Sequence, residues 1–199
     1  LPIYGVSVPE HVFLRYDAGG FRKNIETGYE GMATPASYYV NMSWKRISQT
    51  SIKNRYYLKN LTTNEVIANI YLNRSIIQKE KGNVNAALKD VNHAIELHGN
   101  DAVAFCNRGV IYEKMKDTGQ ALRDYNKAIE LNPDYVPAYF NRGSLYATTK
   151  VFDKAIMDYS KALSLDPNSP LSYYNRGIAF KMVDRIDLTI EDLSKVITL

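Results

Sequence analysis

Apolar, small and aromatic side chains recur along the last two thirds of the chain at a fixed interval of 34 residues. Each interval contains an Asn-Arg pair, with an aromatic residue two positions before the Asn and a small residue two positions after it. The pairs are Asn73-Arg74, Asn107-Arg108, Asn141-Arg142 and Asn175-Arg176. A period in this range is typical of a stacked array, in which each unit covers the apolar face of its neighbour.

Each unit has the spacing of two amphipathic helices. The first stripe in the second unit runs through Ala104, Phe105, Gly109 and Tyr112, and a second stripe runs from Ala121 to Leu131. Gly119 is expected to separate the two helices, and Pro133 to end the second one. Ahead of the first unit, Thr62 and Glu65 have the spacing of a capping box, which predicts that a helix begins there.

These columns resemble the tetratricopeptide repeat family. The resemblance is carried most clearly by the residues Tyr139, Gly143, Tyr146, Ala155, Tyr159, Ala162 and Pro167. It covers four units, 68–101, 102–135, 136–169 and a truncated 170–199. The resemblance implies an all-α fold, a right-handed superhelical solenoid of antiparallel helix pairs. The sequence departs from the family pattern at one position in all four units, which carry Arg where the family often has Leu before the small residue.

Residues 1–67, which precede the array at 68–199, divide into two parts. Residues 1–34 lack any period and are expected to form an irregular or extended segment. Within 35–67, Pro35-Ala36-Ser37-Tyr38-Tyr39 echoes Pro170-Leu171-Ser172-Tyr173-Tyr174. A fifth, degenerate helical pair at 35–67 and a pair of unrelated helices both fit this segment. The missing initial Met and the apolar last residue suggest a piece of a longer array.

Charge is unevenly distributed between these parts. Residues 1–67 have eight basic and five acidic side chains, whereas 68–199 have 17 and 16. Five basic residues follow one another without an intervening acid: Lys45, Arg46, Lys53, Arg55 and Lys59. With Tyr56 and Tyr57 between them, they could bind nucleic acid or another anionic surface, although such a run is more often a solvated face. The longest uncharged stretch, Gly31 to Trp44, is too polar to span a membrane.

The composition argues against an enzyme, a metal site or a cofactor site. The single Cys excludes an internal disulfide and favours a reducing, cytoplasmic environment. His93 and His98 are five residues apart, a spacing that does not suit two metal ligands on one helix. Cys106 lacks a basic or histidine neighbour in sequence and is interpreted as a small apolar filler.

Each repeat Arg is followed 16 residues later by an Asp, which suggests a structural ladder of ion pairs. The Asp column consists of Asp90, Asp124, Asp158 and Asp192, and the Arg column of Arg74, Arg108, Arg142 and Arg176. We expect each Arg to join helices within a repeat or across to a neighbour, because its planar fork binds a carboxylate while its stem packs on apolar surface.

The family resemblance implies that the first helices line a concave groove for a peptide segment or a partner helix. The expected groove residues are Asn73, Asn107, Asn141 and Asn175, with Val110, Phe140, Tyr174 and Ile178 as its floor. An Asn can donate to and accept from a partner backbone, although such a column also serves packing between repeats. The groove positions that would need Lys and Arg to hold a heat-shock chaperone tail carry Leu171 and Asn175 instead, which argues against that ligand.

The sequence therefore predicts a non-enzymatic scaffold or adaptor that binds proteins and forms part of a larger complex. Two alternatives remain at this point. One is a structural subunit fixed in a large assembly, for example a cytoskeletal or ciliary one. The other is an anionic-surface or nucleic-acid binder that acts through the basic run at 45–59.

Overall fold

The computed structural model describes residues 3–8, 11–18, 21–26, 33–34 and 59–199, with side chains from Thr62 onward. The strands are β1 Ile3–Val8, β2 His11–Ala18, β3 Phe21–Glu26, β4 Ala33–Thr34 and β5 Lys59–Leu61. The helices are α1 Thr63–Glu80, α2 Val84–Leu97, α3 Ala102–Lys114, α4 Thr118–Leu131, α5 Val136–Thr148, α6 Phe152–Leu165, α7 Pro170–Lys181 and α8 Ile186–Thr198.

The helices pack as four successive antiparallel pairs. Within each pair a first helix (α1, α3, α5 or α7) packs against the second helix that follows it (α2, α4, α6 or α8). Each second helix except α8 also contacts the first helix of the next pair, and neighbouring first helices contact one another. The predicted all-α solenoid of helix pairs is confirmed for the repeat region.

Polar side chains fix where several of these helices begin. The capping box predicted before the first unit is present, because the Glu65 amide donates to Thr62 Oγ1 at 3.2 Å and the Thr62 amide donates to Glu65 Oε2 at 2.7 Å. Asp101, Asp117 and Ser169 accept from backbone amides at the starts of α3, α4 and α7. Each acceptor satisfies an amide that has no partner inside the helix.

The turn between the two helices of each pair contains one residue in the left-handed conformation. This residue occupies the same register in all four units: Gly82, Lys116, Lys150 and Asp184, with φ between 59° and 81°. The sequence pointed to Gly119 as the separator, but Gly119 lies in the first turn of α4. Only the first unit uses glycine, the residue for which positive φ carries no steric penalty.

The core consists of small side chains that let helices approach, with large side chains beside them. Ala87, Ala121 and Ala155 are fully buried at equivalent positions of the second helices. Tyr125 and Tyr159 are also buried and fill the space that the alanines leave. The core clusters cross unit boundaries, since Ala104 packs with Val91 and the α5 residue Ala138 packs with Tyr125.

The N-terminal strands form an antiparallel sheet in the order β4-β3-β2-β1-β5. Residues 1–34 were expected to be irregular or extended; β1 to β4 are extended, but they pair in register, for example Gly5 with Leu14. The degenerate helical pair expected at 35–67 falls mainly on 35–58, outside the described residues. Of the described residues in 35–67, Lys59–Leu61 form the strand β5, which pairs with β1, and α1 begins at Thr63.

Gly109 is expected to tolerate no larger side chain. A Cβ at this position would lie 2.6 Å from Cε1 of Tyr125, a ring that is fully buried. Gly109→Ala should therefore destabilise the protein, since overpacking costs about 1–3 kcal/mol and the gain in helix propensity offsets only about 1 kcal/mol. Urea unfolding followed by circular dichroism measures the change.

Gly177→Ala is the matched control, because a Cβ there would lie 3.3 Å from the Asp192 Cβ and 3.5 Å from Leu193 Cδ2. At these distances Asp192 has to move by only a few tenths of an ångström, so Gly177→Ala should destabilise the protein much less than Gly109→Ala does. Equal losses from both substitutions would contradict the close approach of α3 and α4 at Tyr125.

Candidate partner-binding face and the arginine clamps

The four repeat arginines each bind the Asp that follows 16 residues later, on the second helix of the same unit. Arg142 donates from Nε to Asp158 Oδ2 at 2.8 Å and from Nη2 to Asp158 Oδ1 at 2.7 Å. The same two-bond geometry joins the other pairs, Arg74–Asp90, Arg108–Asp124 and Arg176–Asp192. The structure thus brings together both columns of the predicted ladder.

Three of these arginines also bind the preceding unit through the remaining nitrogen. Nη1 donates from Arg108 to Asn92 Oδ1 at 2.9 Å, from Arg142 to Asn126 Oδ1 at 2.6 Å and from Arg176 to Ser160 Oγ at 3.0 Å. One guanidinium therefore joins three helices: its own, the second helix of its unit and the second helix of the unit before. We call this arrangement the arginine clamp. Sequence reasoning did not identify the Asn92, Asn126 and Ser160 column, although it keeps the 34-residue period.

Aromatic rings support the clamps from the side. The guanidinium carbon of Arg142 lies 5.8 Å from the centroid of the Tyr139 ring, and Arg108 and Arg176 have equivalent neighbours in Phe105 and Tyr173. Hydrogen bonding to Asp158 raises the pKa of Arg142 above its ordinary value, although burial opposes this. These groups are thus permanently charged and occupied by protein partners.

The Asn column lies on the first helices, beside the clamp arginines. Asn73 is exposed and Asn107, Asn141 and Asn175 are partly buried. Asn141 donates from Nδ2 to Cys106 Sγ of the preceding unit at 3.4 Å, so this member serves packing between units. Burial raises the pKa of the Cys106 thiol to about 11, which keeps it protonated and unreactive near neutral pH.

Among the first helices, α1 and α7 have the most exposed apolar side chains, and on α7 they form a continuous line. Leu171, Tyr174 and Ile178 of α7 and its C-cap residue Met182 follow one another at steps of three, four and four residues, which places them on one side of the helix. All four are exposed, Leu171 to 57% and Tyr174 to 48%. We call these four residues the α7 stripe. The sequence predicted groove positions for Leu171, Tyr174 and Ile178, and the same spacing could have added Met182.

The other predicted floor residues are more buried than the α7 stripe. Val110 and Phe140 are partly buried and pack against the apolar clusters of their units, and the Phe140 ring centroid lies 5.7 Å from that of Tyr159. At positions equivalent to Tyr174, Cys106 and Leu72 are buried completely. The apolar surface of the first helices is therefore more covered on α3 and α5 than on α7, and it is open again on α1, where Ile70 and Ile77 are exposed.

A carboxylate lies on the same surface, on α3. Glu113 accepts a hydrogen bond from the hydroxyl of the buried Tyr125. Burial raises the pKa of the Glu113 carboxyl above its ordinary value, and the Tyr125 hydrogen bond opposes that rise. One unit further on, the hydroxyl of Tyr159 similarly donates to Ser144 Oγ at 3.1 Å.

Glu113→Gln is expected to stabilise the protein at neutral pH. Because folding raises the pKa of Glu113, the contribution of this group to stability is largest below its ordinary pKa and declines as pH rises through the folded-state pKa. Gln is neutral and can still accept from Tyr125, so the variant lacks that decline. Urea unfolding at about pH 4 and pH 7 should show a gain over wild type at pH 7 that shrinks at pH 4.

Glu130→Gln is the control, because Glu130 forms an exposed pair with Lys127 at 2.7 Å. Exposed pairs contribute about 0–1 kcal/mol, so its effect should be small at both pH values. A gain for Glu113→Gln that is the same at pH 4 and pH 7 would contradict the assigned cause.

The predicted basic run lies mostly beyond what the structure shows. Lys45, Arg46, Lys53 and Arg55 are outside the described residues, and Lys59 lies in β5 without a described side chain. In the part of the chain that is described, no cluster of three or more His, Cys, Asp or Glu side chains could hold a metal ion. Nor does any described helix combine the length and apolarity required to cross a bilayer.

Sequence models of the tetratricopeptide repeat match residues 102–135 and 124–156, and a further model of the TPR repeat matches 152–183. A comparison with curated proteins found no match. Among solved structures, a crystal structure of MamA is 24% identical, with a TM-score of 0.61 over 66% of this chain and 77% of that one.

Two further solved structures share the fold. The Arabidopsis OM64 TPR domain is 24% identical, with a TM-score of 0.55 over 61% of this chain and 98% of that domain. MamA from Desulfovibrio magneticus RS-1 is 21% identical, with a TM-score of 0.60 over 66% of this chain and 74% of that one.

Proposed function

Residues 102–183 belong to the tetratricopeptide repeat family, and from this premise we propose that the chain is a non-enzymatic scaffold that binds a partner protein. The partner lies along the surface of the first helices as a peptide segment or a helix. The observation that carries this proposal is the α7 stripe, a line of exposed apolar side chains on that surface.

The exposure and spacing of the α7 stripe support the binding of a protein partner. Contiguous exposed apolar patches on soluble proteins mark interaction sites, because solvating them costs free energy that a partner recovers. Tyr174 supplies a large ring with a polar hydroxyl, a residue type that is frequent among the dominant contacts of interfaces. The spacing along one helix side suits the apolar side of a second helix or alternate side chains of an extended segment.

Polar groups beside the stripe can orient the partner. Asn175 follows Tyr174 directly and Asn107 lies on α3, and each amide can donate to and accept from a partner backbone. Glu113 on α3 and the exposed Lys181 on α7 provide opposite charges on this surface. A partner with a basic side chain toward α3 and an acidic one toward Lys181 would match these charges.

The arginine clamps do not take part in this binding. Arg108, Arg142 and Arg176 already bind two protein partners each, so a ligand carboxylate would have to displace an Asp. The exposed position that would grip a chaperone tail holds Leu171. We therefore propose an apolar partner segment rather than a terminal carboxylate.

Site-specific photo-crosslinking in the source cells tests the proposal. The full chain would carry a photoreactive phenylalanine analogue at Tyr174, or at Met157 as a control that is even more exposed but lies on the second helix α6. We expect a discrete crosslinked protein from Tyr174 that is absent from Met157 and is lost when Ile178→Glu is added. Crosslinks that are the same at both positions, or none at Tyr174, would contradict the proposal.

A further inference from the structure

Glu113 is a partly buried carboxylate on the first-helix surface whose charge is not neutralised by a neighbouring cation. Its hydrogen-bond partner is the hydroxyl of Tyr125, and among the side chains from Thr62 onward it forms no ion pair. Lys79 has the equivalent place on α1, 34 residues earlier, but does not pair with it. The charge of Glu113 is therefore available to a cation from outside the chain.

The surroundings of Glu113 favour such a cation. Burial raises the pKa of the Glu113 carboxyl, because its charged form is less well solvated there than in water. A positive charge beside the carboxylate would stabilise the ionised form again. The hydroxyl that holds Glu113 belongs to Tyr125, whose ring is fully buried, so the carboxylate is oriented before a partner arrives. Preorganisation of this kind lowers the entropy cost of binding.

Small side chains of α5 line the surface between Glu113 and the α7 stripe. Ala147 is the α5 residue in the column of Glu113, and Ser144 is the α5 residue in the column of Ile178. Both are partly buried, and the Ser144 hydroxyl oxygen accepts from Tyr159 at 3.1 Å. These short side chains leave room for a segment of a partner to cross α5 from one site to the other.

The spacing of the helices determines how long that segment must be. α3 contacts α5, and α5 contacts α7. Packed helices lie about 8–10 Å apart, so Glu113 and Ile178 are separated by about 16–20 Å across the array. An extended chain advances about 3.3 Å per residue, and it therefore covers this distance in about five to six residues.

We propose that Glu113 binds a Lys or Arg side chain of the partner protein, and that the partner segment crosses α5 in an extended conformation to place an apolar side chain on Ile178. The basic and the apolar residue are about five to six positions apart in the partner. This assignment rests on the proposed function and adds to it the chemistry, the conformation and the direction of the bound segment. The segment approaches Glu113 from α5, since Lys79 on α1 would repel its cation.

A phage-displayed library of random peptides about 12 residues long is the probe, because such peptides are long enough to span both sites. The library would be selected on the full chain, and the enriched sequences would be read by deep sequencing. We expect wild type to enrich Lys or Arg about five to six residues from an apolar or aromatic residue. The chain has a net charge of +4, so its overall charge opposes cationic peptides and does not produce this preference.

Three variants of the full chain assign the two preferences to their sites. Glu113→Gln should remove the preference for a basic residue and keep the apolar one, and Gln can still accept from Tyr125, which preserves the fold. Ile178→Glu should remove the apolar preference. Glu130→Gln is the control, because Glu130 is an exposed carboxylate of the second helix α4, and it should select the same peptides as wild type.

The outcomes separate failure of this assignment from failure of the proposed function. An apolar preference that depends on Ile178 but comes without a basic residue would overturn the assignment and leave the proposed function standing. A basic preference that persists in Glu113→Gln would do the same. If no enriched peptide depends on Ile178, the proposed function is contradicted, and the assignment that rests on it falls too.

Binding of one enriched synthetic peptide, followed by fluorescence anisotropy, tests the pairing itself. Replacing the basic residue of the peptide by norleucine, or Glu113 by Gln in the chain, should each weaken binding about tenfold. The two changes together should weaken it no more than either alone, because both remove the same contact. Losses that multiply would show that the basic residue binds elsewhere and would overturn the assignment.

Discussion

Arg142→Met is expected to lower the free energy of unfolding by about 3–5 kcal/mol, because it leaves the buried Asp158 carboxylate without its partner. Arg142 makes two hydrogen bonds to Asp158 and a third to Asn126 in the preceding unit. Methionine retains an apolar stem of similar length, so the loss reports the charge and its bonds rather than a cavity. Urea unfolding followed by circular dichroism gives the value.

Two further variants identify the cause of that loss. Asn126→Ala removes the acceptor in the preceding unit and should cost about 0.5–1.5 kcal/mol, the contribution of a single hydrogen bond. Combining Arg142→Met with Asp158→Leu removes the uncompensated charge, and the double variant should regain much of the stability. A melting curve for Arg142→Met that coincides with wild type would show that the clamp is dispensable.

The arginine clamps join each unit of the array to the unit before it. Arg74, in the first described unit, binds Asp90, and its side chain is 55% exposed. Arg108, Arg142 and Arg176 also bind a preceding unit and are only 20–21% exposed. Variants at these three positions should therefore weaken the coupling between units, which determines whether a repeat array unfolds as a whole.

Tyr125→Ala is expected to cost about 3–5 kcal/mol, because truncation of a large buried aromatic side chain leaves a cavity. The Tyr125 ring is fully buried against Gly109, in the cluster that also contains Ala138 of the next unit. The substitution should therefore loosen the contact between α3 and α4 and the contact to α5. The same urea unfolding assay measures the loss.

Tyr125→Phe is the matched control, since it keeps the ring and removes only the hydroxyl that donates to Glu113. Its cost should be about 1 kcal/mol, the contribution of a single hydrogen bond, because the acceptor Glu113 is only partly buried. Adding Glu113→Gln should reduce that cost, because the remaining acceptor is then uncharged. Equal costs for the Ala and Phe variants would show that packing of the ring is unimportant.

The repeat region was predictable because its interactions are regular. A helix pair has one geometry, so the 16-residue spacing between Arg142 and Asp158 is repeated in every unit and is visible as two columns. The third contact of the clamp was missed, although Asn126 keeps the same period. Asn and Ser are common on helix surfaces, and without the structure nothing marked this column as the one opposite the arginine.

The N-terminal sheet was not predicted as a sheet, since each of its signals is local and weak. The two residues between β2 and β3 are Gly19-Gly20, a pair typical of two-residue hairpin connections. The strands themselves do not alternate cleanly, for β2 contains the uninterrupted run Val12-Phe13-Leu14. The pairing of β1 with β5 joins residues more than 50 positions apart, as in Gly5 with Leu61. No short-range pattern encodes such a contact.

The degree to which each residue on the first-helix surface is buried could not be predicted from the sequence either. Cys106, Phe140 and Tyr174 occupy one column, yet they range from buried to exposed. The difference depends on how much of each first helix its neighbours cover, which only the assembled array shows.

Isothermal titration of the segment crosslinked at Tyr174 tests the central claim most directly. That segment, made as a synthetic peptide, would be titrated into wild type, Ile178→Glu and Met157→Glu. The account predicts that Ile178→Glu weakens binding at least about tenfold, while Met157→Glu binds as wild type does. Equal affinity of Ile178→Glu and wild type would show that the partner does not bind on the α7 stripe.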